Sequence, residues 1–293
     1  MLSLYENLTS TRFFILCSSL FLLFILFIVP SFAFPTFAAS TNKIRVVANV
    51  GVGYEPGFLS FDPANKNVYV PNGGSGTVSL ISSSTNKVIS TIKVGSSGDN
   101  VVLYDPANKD LYVTHNAYAN TVSVISGSTN KVVATISVGA CPSDEIYDPT
   151  NQDIYVSDLC SGPYSMSVIS TRTNEVVANI SVGSKSGTHH AHMMYDPANG
   201  NVYVADERGA ASVISSTTNK VVATVTLGTN SEYPVFDPAN NDVYVTNLLS
   251  GTVSVISSAT NTVVATINVG NNAFYAAYDP ANKNMYVTSD NHI

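Results

Sequence analysis

An all-β fold, a ring of four-stranded sheets, is predicted by three observations. One phrase recurs six times: FDPANKNVYVPN at 61–72, YDPANKDLYVTH at 104–115, YDPTNQDIYVSD at 147–158, YDPANGNVYVAD at 195–206, FDPANNDVYVTN at 236–247 and YDPANKNMYVTS at 278–289. Its aspartates, Asp62, Asp105, Asp148, Asp196, Asp237 and Asp279, are spaced 41 to 48 residues apart, a period that marks propellers or helical arrays. Nothing in the repeat has helical periodicity, whereas short Val-, Ile- and Tyr-rich runs alternate with turn residues, as strands do.

Residues 97–139 show the unit. NVVLY is a first strand. DPANKD turns the chain: Pro106 presets φ, Asp105 can accept from onward backbone amides, and Asn108 tolerates positive φ. LYVT is a second strand and TVSVIS a third. The GSTNK turn leads into a fourth, VVATISVG. The meander is apolar on both faces, so each sheet must lie between two neighbours. Radial repetition satisfies that requirement, and the expected architecture is a β-propeller. The blades fall at about 54–95, 97–139, 141–183, 188–228, 230–270, and 272–291 plus 44–50. Residues 41–53 read as a fourth strand lacking the first three. Residues 273–291 read as a first and second strand with nothing after them. Six blades, the last completed by the N-terminal strand, is the leading expectation, and a truncated seven-bladed ring the alternative.

Residues 1–39 stand apart. The run FFILCSSLFLLFILFIV at 13–29 follows Arg12 and precedes small residues at 38–40. It reads as a signal peptide or an N-terminal membrane anchor, and either places residues 40–293 outside the cytoplasm, extracellular or at the cell surface. Contact with a membrane is expected through this segment only. The chain carries 13 Lys+Arg against 20 Asp+Glu, a net charge of −7. That gives no basic surface for phosphates, and nucleic acid is not an expected partner. In an oxidising compartment, Cys141 and Cys160 suggest a disulfide.

The stretches YVTN (244–247), SGTVSVIS (250–257) and VVATINVG (263–270) resemble the YVTN-family β-propeller repeat proteins. The likeness spans nearly all of residues 41–291. It implies a secreted or surface-layer location and one architecture, but no single activity, since propellers host unrelated functions. The broad superfamily includes a copper enzyme, nitrous oxide reductase, and a metal-dependent streptogramin lyase.

Aligning the copies on the Asp-Pro step selects candidate site residues. Phe58, Val101, Asp144, His192, Tyr233 and Tyr275 fall at one position of the first strand. Pro56, Asp99, Pro142, His190, Ser231 and Ala273 fall two residues earlier. The loop after the second strand adds Asn72, His115, Asp158, Asp206 and Asn247. One rim should therefore gather Asp99, Asp144, His115, Asp158, Tyr233 and Tyr275 to meet a protein, glycan or small ligand. Within it His190, His192 and Asp206 form a candidate set for Cu or Zn, because imidazoles at i and i+2 share a face of a strand. A binding or cell-surface module without catalysis is the leading functional expectation. A metal-dependent extracytoplasmic enzyme or redox partner is the alternative. The six aspartates of the repeat are turn formers rather than a carboxylate ring, each being joined to Pro and a nearby Asn.

Overall fold

The computed structural model describes residues 2–3, 46–95, 98, 101–116, 119–160, 164–182 and 191–290. It divides into two compact units, Met1–Gly51 and Val52–Ile293. In the first, β1 (Leu2–Ser3) pairs with β2 (Asn49–Val50). The apolar run at 13–29 lies outside the described residues. So do Asp99, His189 and His190.

The second unit is a β-propeller of repeated antiparallel meanders. The first blade comprises β3 (Ser60–Asp62), β4 (Asn67–Asn72), β5 (Thr77–Ser82) and β6 (Lys87–Lys93); the second, β7 (Val102–Tyr104), β8 (Asp110–His115), β9 (Thr121–Ser126) and β10 (Lys131–Ser137). The third has β11 (Pro142–Asp148), β12 (Asp153–Asp158), β13 (Ser165–Ser170) and β14 (Glu175–Ser181). The fourth has β15 (Ala191–Asp196), β16 (Asn201–Asp206), β17 (Ala210–Ser215) and β18 (Lys220–Thr226). The fifth has β19 (Ser231–Asp237), β20 (Asp242–Asn247), β21 (Thr252–Ser257) and β22 (Thr262–Asn268). The sixth repeat is a two-stranded sheet, β23 (Ala276–Asp279) and β24 (Asn284–Val287). Among the described residues five blades thus have four strands and one has two. The described partner of Asn49–Val50 is Leu2–Ser3. In every full blade the fourth strand pairs with a third, and the sixth has no third strand among the described residues.

The repeated phrase encodes both the turn and the grip between blades. The Asp side chain folds back on its own turn, as Asp105 does when its Oδ1 accepts from the Ala107 amide at 2.7 Å. The residue at positive φ is Lys109 rather than Asn108, at 65°. Asn108 has another task. Its Nδ2 donates to the Tyr112 hydroxyl and, across to the third blade, to the Thr171 carbonyl. Tyr112 in turn donates to Asn174 Oδ1 of that blade. The same latch joins Tyr69 to Asn130, Tyr155 to Asn219 and Tyr203 to Asn261, with hydroxyl–amide distances of 2.5 to 2.8 Å over the four. The acceptor asparagines occupy the third-to-fourth-strand turn at φ between 52° and 57°. Asparagine is the non-glycine residue best suited to that conformation.

Apolar clusters fill the space between sheets. Tyr69, Val78 and Leu80 of the first blade meet Val102, Leu111, Val113 and Ile125 of the second. Equivalent clusters join the second to the third, the third to the fourth and the fourth to the fifth. The outward face of the fifth blade differs. Ile267 is 44 % exposed, whereas its counterparts Ile92, Ile136, Ile180 and Val225 are buried. Among the described residues Tyr244 accepts only from Asn240 of its own turn. A two-stranded neighbour supplies neither the outer wall nor the asparagine turn that the other blades receive.

Candidate functional site

The first strands of successive blades adjoin one another, and the Val102 amide donates to the Phe58 carbonyl across the first junction. Their inner ends surround a cavity of about 720 Å³. Phe58, Val101, Asp144, His192 and Tyr233, five of the six residues aligned four places before the repeated Asp, line it. The sixth, Tyr275, packs on Tyr233 with ring centroids 4.5 Å apart. The register makes each of these residues from the third blade on reach toward the next. Asp144 Oδ2 lies 3.9 Å from His192 Nδ1 and accepts from the Met193 amide at 3.2 Å. The His192 imidazole stacks on Tyr233, with centroids 3.8 Å apart and an interplanar angle of 23°. Tyr233 and Tyr275 are also linked through their hydroxyls at 3.4 Å. Phe274 meets both tyrosines edge-on.

Glu232 completes the arrangement. Its Oε2 lies 3.7 Å from His192 Nε2, and its Oε1 accepts from Asn230. The imidazole is thus held between two carboxylates, one at each ring nitrogen. Burial and the neighbouring Tyr275 push the Tyr233 phenol up from its ordinary value, so it is a neutral donor at physiological pH. Sequence alignment passed over Glu232 and Phe274 because they alternate with the aligned row and should face away from it. They do face back toward the preceding blade, and adjacent blades stand close enough that Glu232 meets His192 there.

Of the other expected rim residues, His115 and Asp158 are described, and neither lines the cavity. His115 is buried and shares a 2.8 Å hydrogen bond with Ser123 Oγ. Burial lowers its pKa to about 4. Asp158 is fully buried and accepts from Ser167 Oγ at 2.8 Å, and burial raises its pKa to about 6 against those hydrogen bonds. Asn72 and Asn247, at the same position, donate to Ser79 and Ser254 of their third strands. This position ties the second strand to the third inside the blade, so it is a structural lock rather than a rim ligand. Gly139 and Gly228 leave it room. A Cβ on Gly139 would stand 2.4 Å from Asp158, and one on Gly228 2.7 Å from Asn247.

The proposed metal set is not assembled by its described members. His192 pairs with Ala205 in the strand register, one residue from Asp206. The side chains of His192 and Asp206 therefore occupy opposite faces of the blade. Asp206 lines a small cleft with Tyr164 and Val182 of the third blade. His190, the remaining member, lies outside the described residues. The carboxylates beside His192 stand at different ring nitrogens and do not converge on one point. Among the described residues no group of three His, Cys, Asp or Glu is placed to hold a metal ion.

Cys141 and Cys160 are joined in a disulfide, with Cα atoms 5.3 Å apart. It ties the start of the third blade's first strand to the loop after its second. Glu145 was not anticipated. It occupies the position held by Val102 and Met193 in neighbouring blades and is almost wholly buried. Burial, then the Asp144 charge, hold its carboxyl well above the ordinary value.

No protein-family model matches the chain, and no curated protein does. Among solved structures it is similar to the hydrazine synthase of Kuenenia stuttgartiensis, at 17 % sequence identity and a TM-score of 0.62, over 84 % of this chain and 86 % of that one. At that identity the likeness shows the fold alone, the β-propeller.

Proposed function

We propose that the chain is an exported β-propeller of the YVTN type that works as a binding module, with its ligand received in the axial cavity. One observation carries this reading. The repeat holds Asp, Pro, Asn and Tyr nearly constant at its scaffold positions, yet the cavity position reads Phe58, Val101, Asp144, His192, Tyr233 and Tyr275. The scaffold does not dictate these residues, and all but one line a single concave space. A concave wall of aromatic side chains with a few convergent polar groups is the usual form of a ligand site. Export is supported by the apolar run at 13–29 and by the disulfide, which belongs to oxidising compartments.

The experiment is a two-dimensional NMR screen of small cationic, neutral and anionic aromatic compounds on the purified chain, repeated on Tyr233→Ala. Binding that shifts resonances of Val101, Asp144 and His192, and that disappears in the variant while the fold persists, is the expected result. Ligands that map only to the outer strands would overturn the reading.

A further inference from the structure

We propose that Asn179 is an acceptor site for an N-linked oligosaccharide. The site lies apart from the binding cavity, and its modification rests only on the export proposed above. Asn179, Ile180 and Ser181 form the Asn-x-Ser/Thr triplet, with no proline at its centre, that asparagine glycosylation requires. No other such triplet follows the apolar run at 13–29, and Asn7-Leu8-Thr9 precedes it. The repeat singles out position 179. Fourth strands read KVISTIKVG, KVVATISVG, EVVANISVG, KVVATVTLG and TVVATINVG. Thr91, Thr135, Thr224 and Thr266 thus hold the place of Asn179 in the other full blades. Threonine suits a strand and asparagine does not. The neighbour across the register does not explain the exchange, because a serine stands opposite this position in all five blades.

The geometry suits an acceptor. Among the described residues β14 pairs only with β13, so it is the outer edge of its sheet, at the far side from β11, whose Ser143 and Asp144 line the cavity. Asn179 and Ser181 are both exposed, and two places apart on a strand they project from one face. Asn179 Oδ1 accepts from Ser167 at 3.4 Å, which leaves Nδ2, the nitrogen that carries the sugar, without a partner among the described residues. In the transfer, Nδ2 displaces the phosphate of a lipid-linked oligosaccharide from the anomeric carbon of its first sugar. The C–N bond forms and the C–O bond to phosphate breaks. The phosphate leaves with the electron pair, and the amide proton passes to a base of the transferase. A glycan here covers a free strand edge that bears Val177, 53 % exposed.

The test is mass spectrometry of a tryptic digest of the full chain recovered from the cells that make it. Cleavage after Arg172 and Lys185 releases peptide 173–185. The expected result is a peptide whose mass is raised by a run of sugar residues, with fragmentation placing them on Asn179. Asn179→Thr installs the residue of the other blades, and Ser181→Ala keeps the asparagine. Each should remove the whole increment and leave the circular dichroism of the fold unchanged. Alkylation without reductant, read on peptide 132–172, reports the Cys141–Cys160 disulfide and so whether the chain reached an oxidising compartment. Peptide 173–185 at its unmodified mass beside an intact disulfide would overturn the modification and leave export standing. An unmodified peptide with both cysteines free would overturn export and the modification with it. Sugar placed on Thr173, Ser181 or Ser184, or an increment that survives Ser181→Ala, would also remove Asn179 as the acceptor.

Discussion

The latch between blades makes a prediction with a built-in control. Tyr155 and Tyr244 sit at the same position of their repeats, and each accepts from the asparagine of its own turn. Tyr155 also donates to Asn219 of the next blade at 2.6 Å. Among the described residues Tyr244 makes no such bond. Replacing Tyr155 by Phe keeps the ring, so no cavity forms. It removes two hydrogen bonds of roughly 0.5–1.5 kcal/mol each and leaves the Asn219 carbonyl oxygen short of a donor. The expected loss is about 1.5–3 kcal/mol, or roughly 4–8 °C in Tm for a domain of this size. Tyr244→Phe removes one bond at a more open site and should cost no more than about 0.5 kcal/mol. Urea unfolding followed by far-ultraviolet circular dichroism measures both. A cycle with Asn219→Ala should give a coupling energy of about 1 kcal/mol for Tyr155. Equal losses at 155 and 244, or strict additivity in the cycle, would refute the latch.

Four further outcomes follow from the same geometry. Asp158→Asn places at this position the residue that Asn72 and Asn247 supply elsewhere. A carboxyl held above its ordinary value binds its proton more tightly in the folded chain, so its stabilising contribution is full below the unfolded value of 3.8 and is lost as pH rises through the folded value of about 6. The variant should therefore gain about 1–2 kcal/mol at pH 7 and nothing near pH 3.5, read by denaturation at the two pH values. His115 has the opposite sign. Its pKa, lowered from 6.5 to about 4, contributes stability above the ordinary value that is lost as pH falls through that window, so His115→Gln should flatten the acid limb of the stability curve. Gly139→Ala should cost about 1–3 kcal/mol in thermal melts, because its Cβ would meet the buried Asp158 side chain. Replacing Cys141 and Cys160 by Ser together should cost about 3 kcal/mol, the value of closing a loop near 20 residues, and reduction of the parent chain should reproduce the loss.

The architecture was legible because turns and alternation are local. Asp105, Pro106 and Asn108 mark a turn whatever surrounds them, and the apolar faces of TVSVIS and VVATISVG demand neighbours. The cavity row was legible for the same reason: a fixed offset from a repeated turn is a fixed place in the blade. What sequence could not give is distance across a junction. His115 and Asp158, expected in the loop after the second strand, are that strand's last residues, and their side chains turn inward to serines two places along the third strand from their register partners. Nor could it place Glu232, which the alternation rule turns away from the aligned row. It meets His192 because the blades converge near the axis.

The placement of the latch explains why the cavity row is free to vary. The energy joining one blade to the next resides in the Tyr–Asn pairs and in clusters such as Leu80, Leu111 and Ile125, all buried. Phe58 contributes almost nothing to that packing, being mostly exposed, and Tyr275 stands half in water. Substitution at these positions should change stability by only about 0.5 kcal/mol, as at other exposed sites. A repeat whose cohesion is carried away from the axis can alter one axial side chain per blade without loosening its neighbours. Such choices, made independently, are enough to build a wall with a carboxylate, Asp144, on one part and aromatic rings on another. His192, in contact with both Asp144 and Tyr233, is where the two parts meet. His192→Ala should therefore uncouple them, leaving the fold intact while Tyr233 loses the stacked partner that fixes its ring.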